Sequence, residues 1–336
     1  MVSMKDIAKR CGVSVATVSK ALSGQPDIGV QTRERICAVA SEMGYLANSA
    51  ARALKTNRTY NLGVLLADER RSGLGHEYFS SLLESFKTEA EAHGYDITFL
   101  NSNVGGKTIS YLQHCRYRGL DGVVIACVDF ADERVRELVD SGIPLVTIDR
   151  AFSGRMAVLS DNSDGVYSLV YHIHSKGHRK IAFLHGEDSA VTRSRVAGFY
   201  RACEELEIPV PPEYVVPCVY HDPDRCEAAT KQILALPDPP SCIIFPDDFS
   251  YIGGRNAIAE AGLRIPEDIS TAGYDGIHLA KVMRLTTYSQ NTRDLGRVAA
   301  EKLIRLIEHP KSTQPEWINI PGKLLPGTSV KDLNQV

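Results

Sequence analysis

A glycine between two short amphipathic runs limits what the first sixty residues can become. Lys5–Cys11 places Ile7, Ala8 and Cys11 on one face, and Gly12 follows, the residue best suited to leave a helix at φ > 0. Ser14 is a good N-cap for a second helix running to about Ser23, which turns Val18, Ala21 and Leu22 inward. A third helix is predicted from about Thr32 to Met43, with Ile36, Val39, Ala40 and Met43 as its apolar stripe. Three short helices around a small core predict an all-α head over residues 1–46, of the helix-turn-helix kind. A helix–Gly–helix pattern alone is common, and charge narrows the choice. Residues 1–60 carry nine Lys and Arg against four Asp and Glu, a net of +5, whereas the whole chain is −3. A basic head on an acidic remainder is the electrostatic footprint of a module that seeks phosphates.

The run Met4-Lys-Asp-Ile-Ala-Lys-Arg-Cys-Gly-Val-Ser-Val-Ala-Thr-Val-Ser-Lys-Ala-Leu-Ser-Gly24 closely resembles the N-terminal signature of the LacI/GalR family of bacterial transcription regulators. So do Thr32-Arg-Glu-Arg-Ile36 and Gly44-Tyr-Leu-Ala-Asn-Ser-Ala-Ala-Arg-Ala-Leu54. The resemblance implies a homodimer whose two heads bind a pseudo-palindromic operator in double-stranded DNA. Ser14, Val15, Ala16 and Lys20 then face the major groove. Val15 and Ala16 offer methyl surface suited to thymine, and Lys20 a donor for guanine O6 and N7. Thr17, Ser19 and the basic residues hold phosphates. Residues 47–59 read as a plain tether or as a hinge too short to be a stable helix alone. In the resembled family this segment folds in the minor groove, which gives Asn48, Ala51 and Leu54 to DNA contact, with Leu54 at the position of the wedge that unstacks the central step.

From Asn61 onward the pattern changes to short apolar runs alternating with amphipathic helices, the grammar of doubly wound parallel sheets. Strands are predicted at 62–67, 96–100, 122–126 and 145–149, with helices at 78–93, 109–117 and 131–141. The grammar restarts with helices at 164–176, 194–205, 226–235 and 249–261, and strands at 180–184, 214–218, 242–245 and 269–273. Leu285–Ser289 reads as a strand where the chain crosses back to the first lobe, before a long amphipathic helix from Thr292 to His309. The expected body is two doubly wound α/β lobes, one of residues 60–158 plus 291–320, the other of 159–290 plus 321–330. Asp149-Arg150, Gly177–Ala182, Arg195–Phe199, Gly262–Ser270, Gly273-Tyr-Asp275 and Leu285–Gln290 all resemble family landmarks, so the likeness runs almost end to end. Bodies of this family are similar to periplasmic sugar-binding proteins and hold a small effector between the lobes.

Ligands of open parallel sheets sit at the carboxyl ends of strands. Asp149, Asp247 and Asp275 each follow a predicted strand, and Arg195 opens a helix from a loop. Carboxylates, one arginine and a few flat rings suit a polyol, although an Asp at a strand end is equally a helix cap. Resemblance to the family's cleft positions points to Asp149, Arg195, Asp247, Asp275 and Gln290 as effector contacts, with Tyr78 and Tyr220 as aromatic candidates. Where the family commonly has Ala-Asn-Asp, this chain has Pro246-Asp247-Asp248, so a ligand donor is expected at Asp247. Gly327 stands where an Arg is often found, and no role is carried to it. No leucine heptad tail precedes Val336, so a coiled-coil tetramer is not implied.

Composition closes other routes. No stretch approaches the roughly 20 apolar residues that span a bilayer. No apolar signal core starts the chain, so a cytoplasmic location is expected. Eight scattered cysteines, with no CxxC pair, read as reduced thiols. His172, His174 and His178 are close in sequence but are read as solvated surface residues rather than a metal site. No HExxH, GxSxG or P-loop is present, so no enzyme and no cofactor is expected. Two other readings remain open: a sugar sensor whose head binds a protein, and a sugar-processing enzyme.

Overall fold

The structure, a computed structural model, describes residues 2–45, 58–67 and 73–335. The hinge candidates Asn48, Ala51 and Leu54 lie outside the described residues. The chain divides into two compact units, Met1–Thr59 and Tyr60–Val336.

In the first unit, α1 (Met4–Cys11), α2 (Val15–Leu22) and α3 (Val30–Glu42) enclose a core of Ile7, Ala8, Cys11, Val18, Ala21, Ile36 and Ala40. Gly12 closes α1 at φ 63°, a left-handed conformation that glycine adopts without steric penalty. The Ser14 hydroxyl accepts the Thr17 N–H at 3.0 Å, satisfying one of the donors a helix start leaves orphaned. Helix α3 begins earlier than its apolar stripe suggests. Its first turn carries the exposed Val30, and Arg33 ties it to the Gln25 carbonyl at 2.9 Å.

The second unit holds two six-stranded sheets. The first lobe is built from β1 (Asn61–Leu65), α4 (Glu77–Ala92), β2 (Asp96–Phe99), a small hairpin β3–β4 (Asn103–Val104 and Lys107–Thr108), α5 (Tyr111–Arg118), β5 (Gly122–Ile125), α6 (Glu133–Val139), β6 (Leu145–Ile148) and β7 (Met156–Ser160). The second comprises α7 (Asn162–Ser175), β8 (Ile181–His185), α8 (Ala190–Glu205), β9 (Val215–Pro217), α9 (Pro223–Leu234), β10 (Cys242–Ile244), α10 (Tyr251–Glu260), β11 (Ser270–Asp275), α11 (His278–Met283) and β12 (Thr286–Ser289). The chain then returns to the first lobe with α12 (Thr292–Glu308) and β13 (Trp317–Ile320), and ends in the second with β14 (Lys323–Leu325). Strand order is β13-β7-β6-β5-β1-β2 in the first sheet, all parallel, and β14-β12-β11-β10-β8-β9 in the second, where only β14 is antiparallel.

Strand alternation splits each lobe's core in two, because parallel sheets are covered on both faces. In the second lobe Ile181 and Phe183 pack with Leu169 and Phe199, while Ala182 and Leu184 pack with Ile233 and Ile258. In the first, Leu62 and Val64 meet α4 and α12 through Leu82, Phe86, Leu295 and Leu303, while Val123 and Ile125 meet Leu112 and Leu138.

Two points differ from the sequence pattern. Leu285–Ser289 does not rejoin the first lobe: β12 pairs with β11 in the second sheet, and the return begins only with α12. An apolar run rich in β-branched residues identifies a strand but not the sheet it joins. The edge strands β13 and β14 escape the pattern, since Trp317–Ile320 and Lys323–Leu325 are largely exposed and do not read as core; the pattern also gives no strand at β7, an interior strand between β13 and β6.

Helices α4 and α12 approach closely at Gly296, where an added Cβ would lie 2.1 Å from the Leu82 carbonyl oxygen. Gly296→Ala is therefore expected to destabilise the body by about 1–3 kcal/mol through overpacking. Gly142→Ala, with nothing within 4 Å, should not. Denaturant unfolding of the two full-length variants checks this, and equal stabilities would count against the close crossing.

Candidate ligand cleft and nucleic-acid interface

The carboxyl ends of the two sheets line a cavity of about 730 Å³. All seven residues singled out from the sequence, Tyr78, Asp149, Arg195, Tyr220, Asp247, Asp275 and Gln290, reach its wall. Their situations differ.

On the first lobe, Asp149 follows β6 at φ 56°, uncommon for a residue with a Cβ. It accepts the Tyr78 hydroxyl at 3.0 Å and the Ser160 N–H at 2.6 Å. Burial and the Asp149 carboxylate hold the Tyr78 phenol protonated, well above its ordinary value.

On the second lobe, the Arg195 guanidinium is almost wholly buried. It donates to Asn162 Oδ1 at 2.8 Å and to the Pro246 carbonyl at 2.9 Å, lies 3.8 Å from Asp275 Oδ1, and sits 3.7 Å from the Tyr274 ring centroid. Asp275 accepts from Gln290 Nε2 at 2.6 Å, which leaves Gln290 Oε1 buried with no partner. Burial pushes the Asp275 carboxyl up to about 7, although Arg195 pulls the other way. Burial and Asp275 likewise raise Asp248 behind it, despite three hydrogen bonds from Gly276, Ile277 and Thr287.

Asp247 does more for the chain than the sequence implied. It accepts the His221 N–H at 2.8 Å, the Ser250 N–H at 2.7 Å and the Ser250 hydroxyl at 2.7 Å. Three chain donors meet the carboxylate for which a ligand donor was expected, and they pin the loop carrying Tyr220 and His221. Tyr220 contacts the Thr192 hydroxyl at 3.0 Å.

Sequence patterns missed an aromatic column that joins the lobes. His76, just before α4, stacks on His221 at 4.2 Å, and His221 stacks on Phe249 at 3.9 Å. Beside it, Glu77 Oε1 accepts the His278 N–H at 2.5 Å, a second contact between the lobes. Histidines in loops follow no periodicity, so only the fold brings them together. The cleft wall also takes in Arg150, part of the Asp149-Arg150 pair but not singled out as a contact, and Arg136, which the sequence gives no reason to place there. His178 is not a surface residue: it is buried, with Nδ1 2.8 Å from Ser241 Oγ and Nε2 3.1 Å from the Lys331 carbonyl. Among the described residues no group of three or more His, Cys, Asp or Glu is placed to hold a metal ion. No described helix is long and apolar enough to cross a membrane.

On the head, Ser14, Val15, Ala16 and Lys20 are exposed at or along α2, while Thr17 and Ser19 are half-buried. Ser14 and Thr17 hydroxyls lie 2.9 Å apart. Lys20 Nζ rests 2.5 Å from Asp27 Oδ2, an ion pair open to water on both sides. Such a pair is weakly held and yields to a stronger acceptor.

A helix-turn-helix unit and a two-lobed body of the periplasmic-binding-protein type, joined in one chain, define a class of regulatory protein. The chain belongs to the lacI family of bacterial regulatory proteins. The family's regulatory-protein model matches residues 3–48, and the model described as periplasmic binding proteins and sugar binding domain of LacI family matches residues 59–328. The chain is 31% identical over 340 residues to the HTH-type transcriptional repressor PurR of Pectobacterium carotovorum, covering 99% of this chain and 98% of that one. Among solved structures, the lac repressor dimer bound to operator and the anti-inducer ONPF matches with a TM-score of 0.79 at 23% identity, covering 98% of this chain and 99% of the other. A LacI-family regulator from Enterococcus faecium with bound ribose matches with a TM-score of 0.69 at 25% identity, over 81% of this chain and 99% of the other. Relatives of this kind are transcriptional repressors, not enzymes.

The raised Asp275 carboxyl has a pH signature. Between about pH 4 and 7 the folded chain keeps a proton that an unfolded Asp has lost, so this residue makes stability fall as pH rises through that window. Asp275→Asn is expected to melt above the wild type at pH 8 and level with it near pH 4. Thermal melts across that range check this; a pH-independent difference would show that Asp275 titrates normally.

Proposed function

We propose that the protein is a sequence-specific DNA-binding repressor whose operator affinity is set by a sugar or sugar derivative bound in the cleft. It acts in the cytoplasm as a homodimer, with residues 1–46 as the head, 47–59 as the hinge and the two lobes as the sensor. The observation that carries this reading is the cleft itself. Seven polar and aromatic residues from both lobes converge on one cavity, and one of them, Gln290, presents a buried acceptor that awaits a donor. Polyol hydroxyls supply such donors. The ribose found in the Enterococcus faecium relative and the operator bound by the lac repressor dimer support the same assignment.

Mechanistically, Val15, Ala16 and Lys20 read base edges while phosphate contacts fix the register. Effector bound to both walls changes the angle between lobes, and the hinge, with Leu54 within it, passes that change to the head. Couplings of this kind amount to roughly 1–3 kcal/mol.

Operator binding by the full-length chain should weaken linearly on a log–log salt plot, as counterion release requires. A flat response would favour the protein-binding reading of the head. Operator affinity should also shift about 5- to 150-fold with saturating effector in the wild type. In Gln290→Leu the shift should vanish while sugar-free operator binding is retained. A preserved shift in that variant would move the effector away from this cleft.

A further inference from the structure

The donors and acceptors around the cavity are not evenly spent. Among the described residues, each of its main carboxylates is already engaged by the chain. Asp149 holds Tyr78 and Ser160, Asp247 holds His221 and Ser250, Asp275 holds Gln290, and on the far rim Asp188 pairs with Arg193. The first-lobe wall is the opposite case. Among the described residues, Arg150 Nε is buried without a partner and its guanidinium forms no ion pair; it lies 5.4 Å from the centroid of the Phe152 ring. Arg136, also on the cavity wall, donates to the Phe130 backbone carbonyl at 3.4 Å, and the Phe130 and Phe152 rings lie 5.6 Å apart, so the two arginines belong to one patch of the wall linked through these two phenylalanines. Asp129, also on the wall, is turned to the Ala131 N–H at 2.7 Å and pairs with neither arginine.

A guanidinium N–H cut off from water and from any acceptor is costly, and a planar fork of donors matches the oxygens of a carboxylate or phosphate. We propose that this patch is an anion subsite and that the effector is an acidic sugar. Its hydroxyls reach Gln290 on the second lobe, and its phosphate or carboxylate rests on Arg150, with Arg136 at the outer edge. The cavity, at about 730 Å³, has room for both ends of such a molecule. This inference rests on the sugar-responsive reading above and specifies the ligand's charge.

The test uses full-length protein and two matched sets: glucose, gluconate and glucose 6-phosphate; ribose, ribonate and ribose 5-phosphate. Calorimetry should show at least one acidic member binding about tenfold or more tighter than its neutral parent. Comparing the carboxylate with the phosphate arm identifies which anion the subsite takes. In Arg150→Met that ratio should fall to near one, and Arg150→Lys should restore part of it. A purely structural effect of Arg150 would weaken acid and parent together and leave the ratio unchanged, which overturns the proposal. Neutral sugars binding as well as acidic ones overturns it too, while leaving the sugar-responsive reading intact. If no member of either set binds, both fall.

Discussion

Removing the Arg195 guanidinium from water is the constraint around which the second lobe is arranged. A buried cation of this kind is tolerable only when acceptors meet it from several directions. The acceptors come from separated parts of the chain: Asn162 at the start of α7, the Pro246 carbonyl just after β10, and Asp275 at the end of β11, with the Tyr274 ring stacked against it. Three strand and helix ends must therefore converge for Arg195 to be buried at all. Their convergence builds the floor of the cleft. The same low-dielectric setting raises Asp275, so the floor combines a permanent positive charge with a carboxyl near its titration point at neutral pH.

Backbone strain gathers at the same place. Asp149, His221 and Asp275 have φ of 56°, 55° and 101°, and all three line the cavity. Residues with a Cβ held there cost on the order of 1–3 kcal/mol each, and they persist where surrounding contacts over-determine them. Those contacts are visible: Ser160 and Tyr78 for Asp149, Asp247 for the His221 backbone, Gln290 for Asp275. The chain spends folding energy to point these groups into one cavity, as expected of a preorganised binding site.

What was legible in the sequence follows from what repeats or recurs. The head was readable because 3.6-residue periodicity, the Ser14 cap and the Gly12 stop all agree for α1 and α2. The two-lobed body was readable from alternating strands and helices, Asp149, Asp247 and Asp275 from strand-end position and family resemblance, Arg195 and Gln290 from the resemblance, and Tyr78 and Tyr220 only as aromatic candidates. Pairing was not legible. Nothing in Leu285–Ser289 says which sheet it joins, and the exposed edge strand β13 has no core-like pattern. The His76–His221–Phe249 column depends on loops 145 and 28 residues apart in sequence, and the Arg150 subsite is recognisable only once the acids among the described cavity residues are seen to be engaged elsewhere. Helix caps, strand faces and signature motifs are local properties, whereas charge compensation is a property of the assembled cleft.

On the function proposed above, the way the lobes are joined gives a small ligand its leverage. The chain passes between lobes at three places: after β7 near Ser160, after β12 near Gln290, and between β13 and β14 near Gly322. Two of the three are tied directly to cleft residues, because Ser160 holds Asp149 and Gln290 holds Asp275. The third is tied to β12 through the Tyr288 hydroxyl, which accepts the Gly322 N–H at 3.0 Å. A molecule bound only to one wall has no preference between lobe angles and shifts nothing, however tightly it binds. A molecule with a hydroxyl on Gln290 and a charge on Arg150 touches both walls next to the connections. Its affinity then depends on the angle between lobes, and that dependence is what converts occupancy into a conformational signal.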